Sequence, residues 1–115
     1  TFAMTIQTTE PMDVTERIEQ HLQSQRIVLF MKGDPQFPMC GFSARTAAAL
    51  QEVGAEFAHV NILQDEEMRN ALKQYAGWPT YPQLYIDGEL VGGHDIVLDL
   101  YKSGELAAMV CGTAV

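Results

Sequence analysis

Apolar and polar positions follow two different rhythms along this chain, and the switches between them divide it into elements. Asp13, with Glu16 three residues on, predicts a helix start in which each side chain caps the other's backbone amide. Val14, Ile18 and Leu22 then recur every four residues, which gives that helix one apolar face. The run from Arg26 to Met31 is apolar after its first residue and predicts a buried central strand. Gly33 to Met39 carries Pro35 and Pro38 and predicts a loop. From Gly41 the chain turns helical, with Ala44, Ala47, Ala48, Leu50 and Val53 as its apolar positions and Gly54 as its stop.

Glu56 to Ile62 predicts a second strand. Asp65, Glu66 and Glu67 stand where a helix N-terminus favours negative charge, and Met68, Leu72 and Tyr75 form that helix's expected inner face before Gly77 ends it. Gln83 to Ile86 and Glu89 to Val91, joined by Asp87-Gly88, predict a β-hairpin with a tight turn. Gly92-Gly93 breaks the strand, and Asp95 is placed to cap a last helical region containing Ile96, Leu100 and Tyr101. Ser103-Gly104 interrupts that region before Leu106, Met109 and Val110. Strand–helix–strand requires two parallel strands, and the hairpin adds two antiparallel ones. The expected fold is therefore α/β, a four-stranded mixed sheet flanked by helices, which is the thioredoxin-like architecture.

Composition narrows the function classes. A chain of 115 residues has room for one domain, here residues 13–115, with residues 1–12 read as a disordered N-terminal extension outside it. Hydrophobic residues at 47% and charged residues at 19% give a globular rather than a disordered balance. A net charge of −8 argues against a nucleic-acid partner, because phosphate would be repelled. No apolar run approaches the roughly 20 residues needed to cross a bilayer, and the first residues lack a signal-peptide pattern. Two widely spaced cysteines, Cys40 and Cys111, make no disulfide framework and no zinc-like spacing, so a reducing, cytoplasmic setting is expected.

Cys40 carries the chemistry. It follows a buried strand and a proline-rich loop and immediately precedes a helix, so its sulfur faces unpaired amides and a positive dipole end. Lys32, at the end of the strand, adds a positive charge. A cysteine without such placement is more often a small buried hydrophobe; here the placement favours a thiolate. Ser43 stands where Cys-x-x-Cys oxidoreductases carry their second cysteine, and a hydroxyl cannot resolve a mixed disulfide. Any redox turnover then needs an outside thiol.

Lys32-Gly33-Asp34-Pro35-Gln36-Phe37-Pro38-Met39-Cys40-Gly41-Phe42-Ser43 resembles the signature of the monothiol glutaredoxins, including their lengthened loop. Trp78-Pro79-Thr80-Tyr81-Pro82-Gln83 and Gly92-Gly93-His94-Asp95 resemble the next two motifs of that family, and the similarity runs from about Asp13 through nearly the whole chain. The resemblance implies a glutathione site. Lys32 and Arg69 would meet the glycine carboxylate, Tyr81 and a cis Pro82 would pair through backbone with the tripeptide, and the amides at His94 and Asp95 would hold the γ-glutamyl carboxylate while Asp95 meets the ammonium. Without that context Arg69 is a solvated helix residue, Pro82 a strand-initiating proline and Asp95 a cap. Some family members carry cysteine in place of His94 and phenylalanine in place of Tyr81. The His94 side chain is read as a neutral edge residue rather than a metal ligand, and Cys111 as a structural or incidental thiol.

A 2Fe–2S cluster takes four ligands, usually thiolates. One well-placed cysteine per chain cannot supply them, whereas two chains with two glutathione thiolates can. The resemblance accordingly implies an iron–sulfur carrier, a homodimer when cluster-bound and a monomer when apo, working with BolA-type and acceptor proteins. The alternative is a glutathione-dependent thiol–disulfide oxidoreductase that uses the same thiolate, with at most weak activity.

Overall fold

A computed structural model describes residues 13–111; the extension assigned to residues 1–12 lies outside the described residues. The first helix, α1 (Val14–Ser24), opens with the expected reciprocal cap, Glu16 N–H donating to Asp13 at 2.8 Å and Asp13 N–H to Glu16 at 3.2 Å. Strand β1 (Ile27–Met31) follows, then α2 (Gly41–Glu52), β2 (Ala58–Asn61), a 3-10 turn at Ile62–Gln64 and α3 (Glu66–Ala76). The hairpin is β3 (Gln83–Ile86) and β4 (Glu89–Gly92), and α4 (His94–Ser103) and α5 (Glu105–Cys111) complete the order.

The sheet runs β2-β1-β3-β4, with β1 parallel to β2 and antiparallel to β3. All five residues of β1 are buried because helices cover both faces. Ile27, Leu29 and Met31 join Leu50, Leu84, Val97 and Leu106 in one core, while Val28 and Phe30 join Ile18, Ile62, Met68 and Leu72 in the other. The single strand thus feeds two cores by its period-2 alternation. The thioredoxin-like expectation holds. Asp87 and Gly88 both have positive φ (55° and 80°), the conformation that a two-residue hairpin turn requires.

Several expected faces are shifted. On α2 the buried positions are Ser43, Thr46, Ala47, Ala49 and Leu50, whereas Ala48 is exposed; small side chains let polar Ser43 and Thr46 pack inward once hydrogen-bonded. Tyr75 is 40% exposed, so α3 buries only Met68 and Leu72. Ile96 and Tyr101 are likewise exposed, and Val97 is the buried anchor of α4. The second strand is shorter than expected, since the chain turns into the 3-10 turn at Ile62.

The helix start at α4 differs in kind. Gly93, not Asp95, is the N-cap, without a side-chain hydrogen bond, and Asp95 lies inside the first turn. The backbone at Gly92, with φ of 150°, swings the chain directly into the helix two residues earlier than a capping Asp95 would allow. At the opposite end of the sheet Arg26 binds the last helix: its guanidinium donates to the carbonyls of Met109 and Val110, each at 2.7 Å, and lies 3.2 Å from the Asp87 carboxylate.

The loop before Cys40 is tightly built. Phe37 N–H donates to both the carbonyl and the carboxylate of Asp34, Met39 N–H donates to the Lys32 carbonyl at 2.9 Å, and Gly33 bridges to Pro38. Gly33 sits at φ 90°, and a Cβ there would lie 2.5 Å from the Phe37 carbonyl oxygen and 2.6 Å from the Met39 nitrogen. Gly54 also has positive φ, 78°, but faces open space. Gly54→Ala should therefore cost about 1 kcal/mol, the left-handed penalty alone, and Gly33→Ala at least about 3 kcal/mol because backbone must also move. Urea denaturation of the two variants decides it, and equal losses would contradict the crowding around Gly33.

Candidate functional site

Cys40 is the N-cap residue of α2, extended at φ −157° and ψ 136°, and is partly exposed. Its sulfur makes no full capping hydrogen bond in this conformation. The amides of the first turn still face it, and they hold the thiol below its ordinary pKa. The Ser43 amide is the largest cause. Partial burial opposes it, and the Phe42 amide, the Lys32 ammonium and the Ser43 hydroxyl add to the lowering.

Ser43 is fully buried, and its Oγ accepts from the Lys32 amide at 3.1 Å. That bond joins the end of β1 to the first turn of α2. Asn61 secures the same corner from β2, its Oδ1 accepting from Gly33 N–H and Leu63 N–H, each at 3.0 Å. The long loop therefore leaves and returns to a fixed frame, and Gln36, Phe37 and Met39 are its exposed residues.

An open cleft of about 780 Å³ runs beside the sulfur. Of the residues singled out in the sequence, Lys32, Cys40, Arg69, Tyr81, His94 and Asp95 all line it. Pro82 does not; it is buried just behind, following a cis Tyr81–Pro82 peptide bond. The Tyr81 hydroxyl donates to the Arg69 carbonyl at 2.6 Å and so ties α3 to the proline segment. Burial raises the Tyr81 pKa to about 12, with the Arg69 charge opposing, so the phenol remains a donor across the neutral range.

Asp95 projects into solvent with its side chain 94% exposed, and its Oδ1 lies 2.8 Å from His94 Nδ1. The His94 ring is 18% exposed and stands 4.9 Å from the Phe42 ring, centroid to centroid. His94 Nε2 and Trp78 Nε1 are both buried without a hydrogen-bond partner. Gly93 permits the close approach here, since a Cβ on it would lie 3.0 Å from Trp78 Nε1 and 3.2 Å from the Pro82 carbonyl.

The sequence reading missed three contributors. Lys73 lines the cleft and stands one helical turn after Arg69, so the i,i+4 spacing was the available signal. With Lys32 and Arg69 it places three of the chain's seven basic residues around one cleft in a chain of net charge −8, a concentration of positive potential suited to an anionic ligand. Trp78 supplies cleft wall. Gln83, fully buried, donates to the carbonyls of Trp78 (3.1 Å) and Thr80 (3.3 Å) and shapes the proline segment from beneath. Cys111 is exposed at the end of α5 and is not among the residues lining this cleft.

Comparison with known proteins matches these features. The family model described as Glutaredoxin matches residues 27–91. The chain is 50% identical over 99 residues to Glutaredoxin 4 of Escherichia coli (strain K12), covering 86% of each chain. It is 52% identical over 93 residues to Probable monothiol glutaredoxin 2 of Rickettsia conorii, covering 81% of this chain and 87% of that one. Among solved structures, that of reduced poplar apo GrxS14 superposes with a TM-score of 0.76 at 47% identity, covering 86% of this chain and 91% of the other. A buckwheat glutaredoxin–glutathione complex gives a TM-score of 0.76 at 25% identity, covering 86% and 88%.

The lowered thiol pKa has a measurable consequence with a definite sign. Between the folded pKa of Cys40 and the higher pKa it has when unfolded, the unfolded chain binds more protons, so stability rises with pH across that window. It is lost as pH falls through the folded value. The difference in urea midpoint between the unsubstituted chain and Cys40→Ser should therefore grow as pH rises through this window. A pH-independent difference would show that the helix start does not favour the anion.

Proposed function

Because this chain belongs to the monothiol glutaredoxin family, we propose that it binds glutathione in the Cys40 cleft and, paired with a second copy, carries a 2Fe–2S cluster for delivery to acceptor proteins. The observation that carries this reading is a cysteine thiol held below its ordinary pKa beside an open cleft lined by three basic residues. Glutathione is an extended tripeptide with two carboxylates, one ammonium and one thiol. Lys32 and Arg69 are the cations for its glycine carboxylate. The backbone at Tyr81–Pro82 offers its middle residue a strand-like edge. The amides opening α4, at His94 and Asp95, suit the γ-glutamyl carboxylate, and the exposed Asp95 carboxylate suits the ammonium. A glutaredoxin–glutathione complex of the same fold supports this assignment.

The cluster is cargo. Among the described residues no group of three or more histidine, cysteine or acidic side chains could hold a metal ion, so the described part of one chain offers Cys40 as a single ligand to be completed from outside. Cys40 from each of two chains and the thiolates of two bound glutathiones make four soft ligands, which fits the preference of such clusters. Because half the ligands are held non-covalently, the dimer would form with its cargo and separate on release, leaving a monomer. BolA-type proteins are the expected partners in this family. A reducing, cytoplasmic setting suits a protein that works as a thiolate, and among the described residues no helix is long and apolar enough to cross a membrane.

The second reading is thiol–disulfide exchange, favoured by the partial exposure of the Cys40 sulfur. The thiolate would attack the glutathione sulfur of a glutathionylated protein, forming a Cys40–glutathione disulfide and releasing the protein thiolate. A second glutathione thiolate then attacks that disulfide, regenerating Cys40 and producing oxidised glutathione. Ser43, buried and bonded to the Lys32 amide, contributes nothing to resolution, so this turnover is expected to be weak.

Anaerobic reconstitution with iron, sulfide and glutathione separates the two. Visible absorbance, a doubled mass and two glutathiones per dimer are expected, with all three lost in Cys40→Ser or when glutathione is omitted. Cluster retention by Cys40→Ser would end the carrier reading. Rapid glutathione-coupled disulfide reduction without any cluster would favour the second.

A further inference from the structure

Asp95 is an odd residue to leave unanchored. A short carboxylate in the first turn of a helix readily folds back onto the free amides there and consumes its own acceptor capacity. In this chain it does not: Gly93 provides the N-cap, no side chain caps α4, and the Asp95 side chain stands 94% exposed. What holds it is His94, whose Nδ1 lies 2.8 Å from Asp95 Oδ1.

The imidazole is well suited to hold another group still. Its ring is only 18% exposed and rests against Phe42 at 4.9 Å, so it is fixed from the α2 side of the cleft. Its Nε2 is sealed from solvent and has no partner. A proton on Nε2 would be a buried donor with nothing to bond, whereas a proton on Nδ1 is satisfied by the carboxylate. Of the two neutral tautomers, Nδ1–H is therefore the one that leaves no donor unpaired: it donates to Asp95 and occupies one carboxylate oxygen while leaving the other free, and Nε2 keeps an unpaired lone pair.

We propose that the His94 imidazole is a positioning residue, whose Nδ1–H fixes the Asp95 carboxylate outward for the ammonium of the γ-glutamyl end of glutathione. This deepens the glutathione reading above and rests on it. Phe42, next to the thiol corner, grips His94, and His94 grips Asp95, so the thiol corner and the γ-glutamyl end of the tripeptide site are set by one chain of contacts. A cysteine at this position would be a much weaker donor. Recognition of the amine should accordingly be sharper in this chain than in a His94→Cys variant.

The test compares two ligands that differ only in that amine: glutathione and glutaryl-Cys-Gly, which keeps both carboxylates and the thiol. Both are titrated into the reduced chain under argon and followed by amide NMR shifts, whose dispersion also reports folding. The unsubstituted chain should prefer glutathione, and His94→Ala should reduce that preference about threefold, the scale set by one newly mobile side chain. His94→Asn, whose side-chain amide can donate from nearly the same place, should restore it. Asp95→Asn should abolish the preference, and adding His94→Ala to it should change the preference no further. Equal weakening of both ligands by His94→Ala, or an unaltered preference, overturns the positioning role while leaving glutathione binding intact. Failure of the unsubstituted chain to bind glutathione overturns the underlying reading instead.

Discussion

The site depends on holding one thiol below its ordinary pKa at a helix start. The hydrogen bond from the Lys32 amide to the buried Ser43 hydroxyl meets that demand. It joins the residue that follows β1 to the first turn of α2, so the amides that lower the thiol pKa and the lysine that adds charge move as one piece. Two independent cores, on opposite faces of a strand buried throughout, hold that piece rigid from behind. The electrostatics are thus built mostly from backbone, which does not relax away when a ligand arrives.

The rest of the cleft has a division of labour. Its cations come from Lys32 and α3, its strand-like edge from the proline segment, and its amides from the start of α4. Side-chain hydrogen bonds to backbone set its shape: Gln83 under the Trp78–Thr80 segment, the Tyr81 hydroxyl across to Arg69, Asn61 under Gly33. Gln83 and Asn61 satisfy backbone groups of loop segments that would otherwise lack partners, and Tyr81 ties α3 to the proline segment. An acidic chain can present a locally positive site because three of its few basic residues converge there, while Arg17 and Arg26 pair with carboxylates elsewhere.

The elements most legible in the sequence were those whose signal is local. The Asp13–Glu16 box, the β1 run and the Asp87-Gly88 turn declare themselves through neighbours only a few residues away. Six of the seven site positions named from motifs do line one cleft, because the spacing of those motifs follows the fold's own topology. What stayed hidden was tertiary. Nothing near Asp95 reveals that Gly93 will start the helix, and the exposure of Tyr75, Ile96 and Tyr101 depends on which face of each helix meets the sheet. The buried role of Ser43 was masked by reading it only as an absent cysteine.

The clamp at Arg26 sets a different boundary. Its guanidinium spans the carbonyls that end α5 and the carboxylate at the hairpin turn, and Leu106 of that helix is fully buried in the core under α2 and α4. The stretch matched by the family model stops at residue 91, before either of the last two helices. A chain trimmed to its recognisable signature would keep every thiol-site motif up to Pro82, yet it would open the apolar layer formed by Ile27, Leu29 and Ile86 to water. The smallest piece that can fold is therefore larger than the smallest piece that can be recognised, and the guanidinium marks where the difference is fastened.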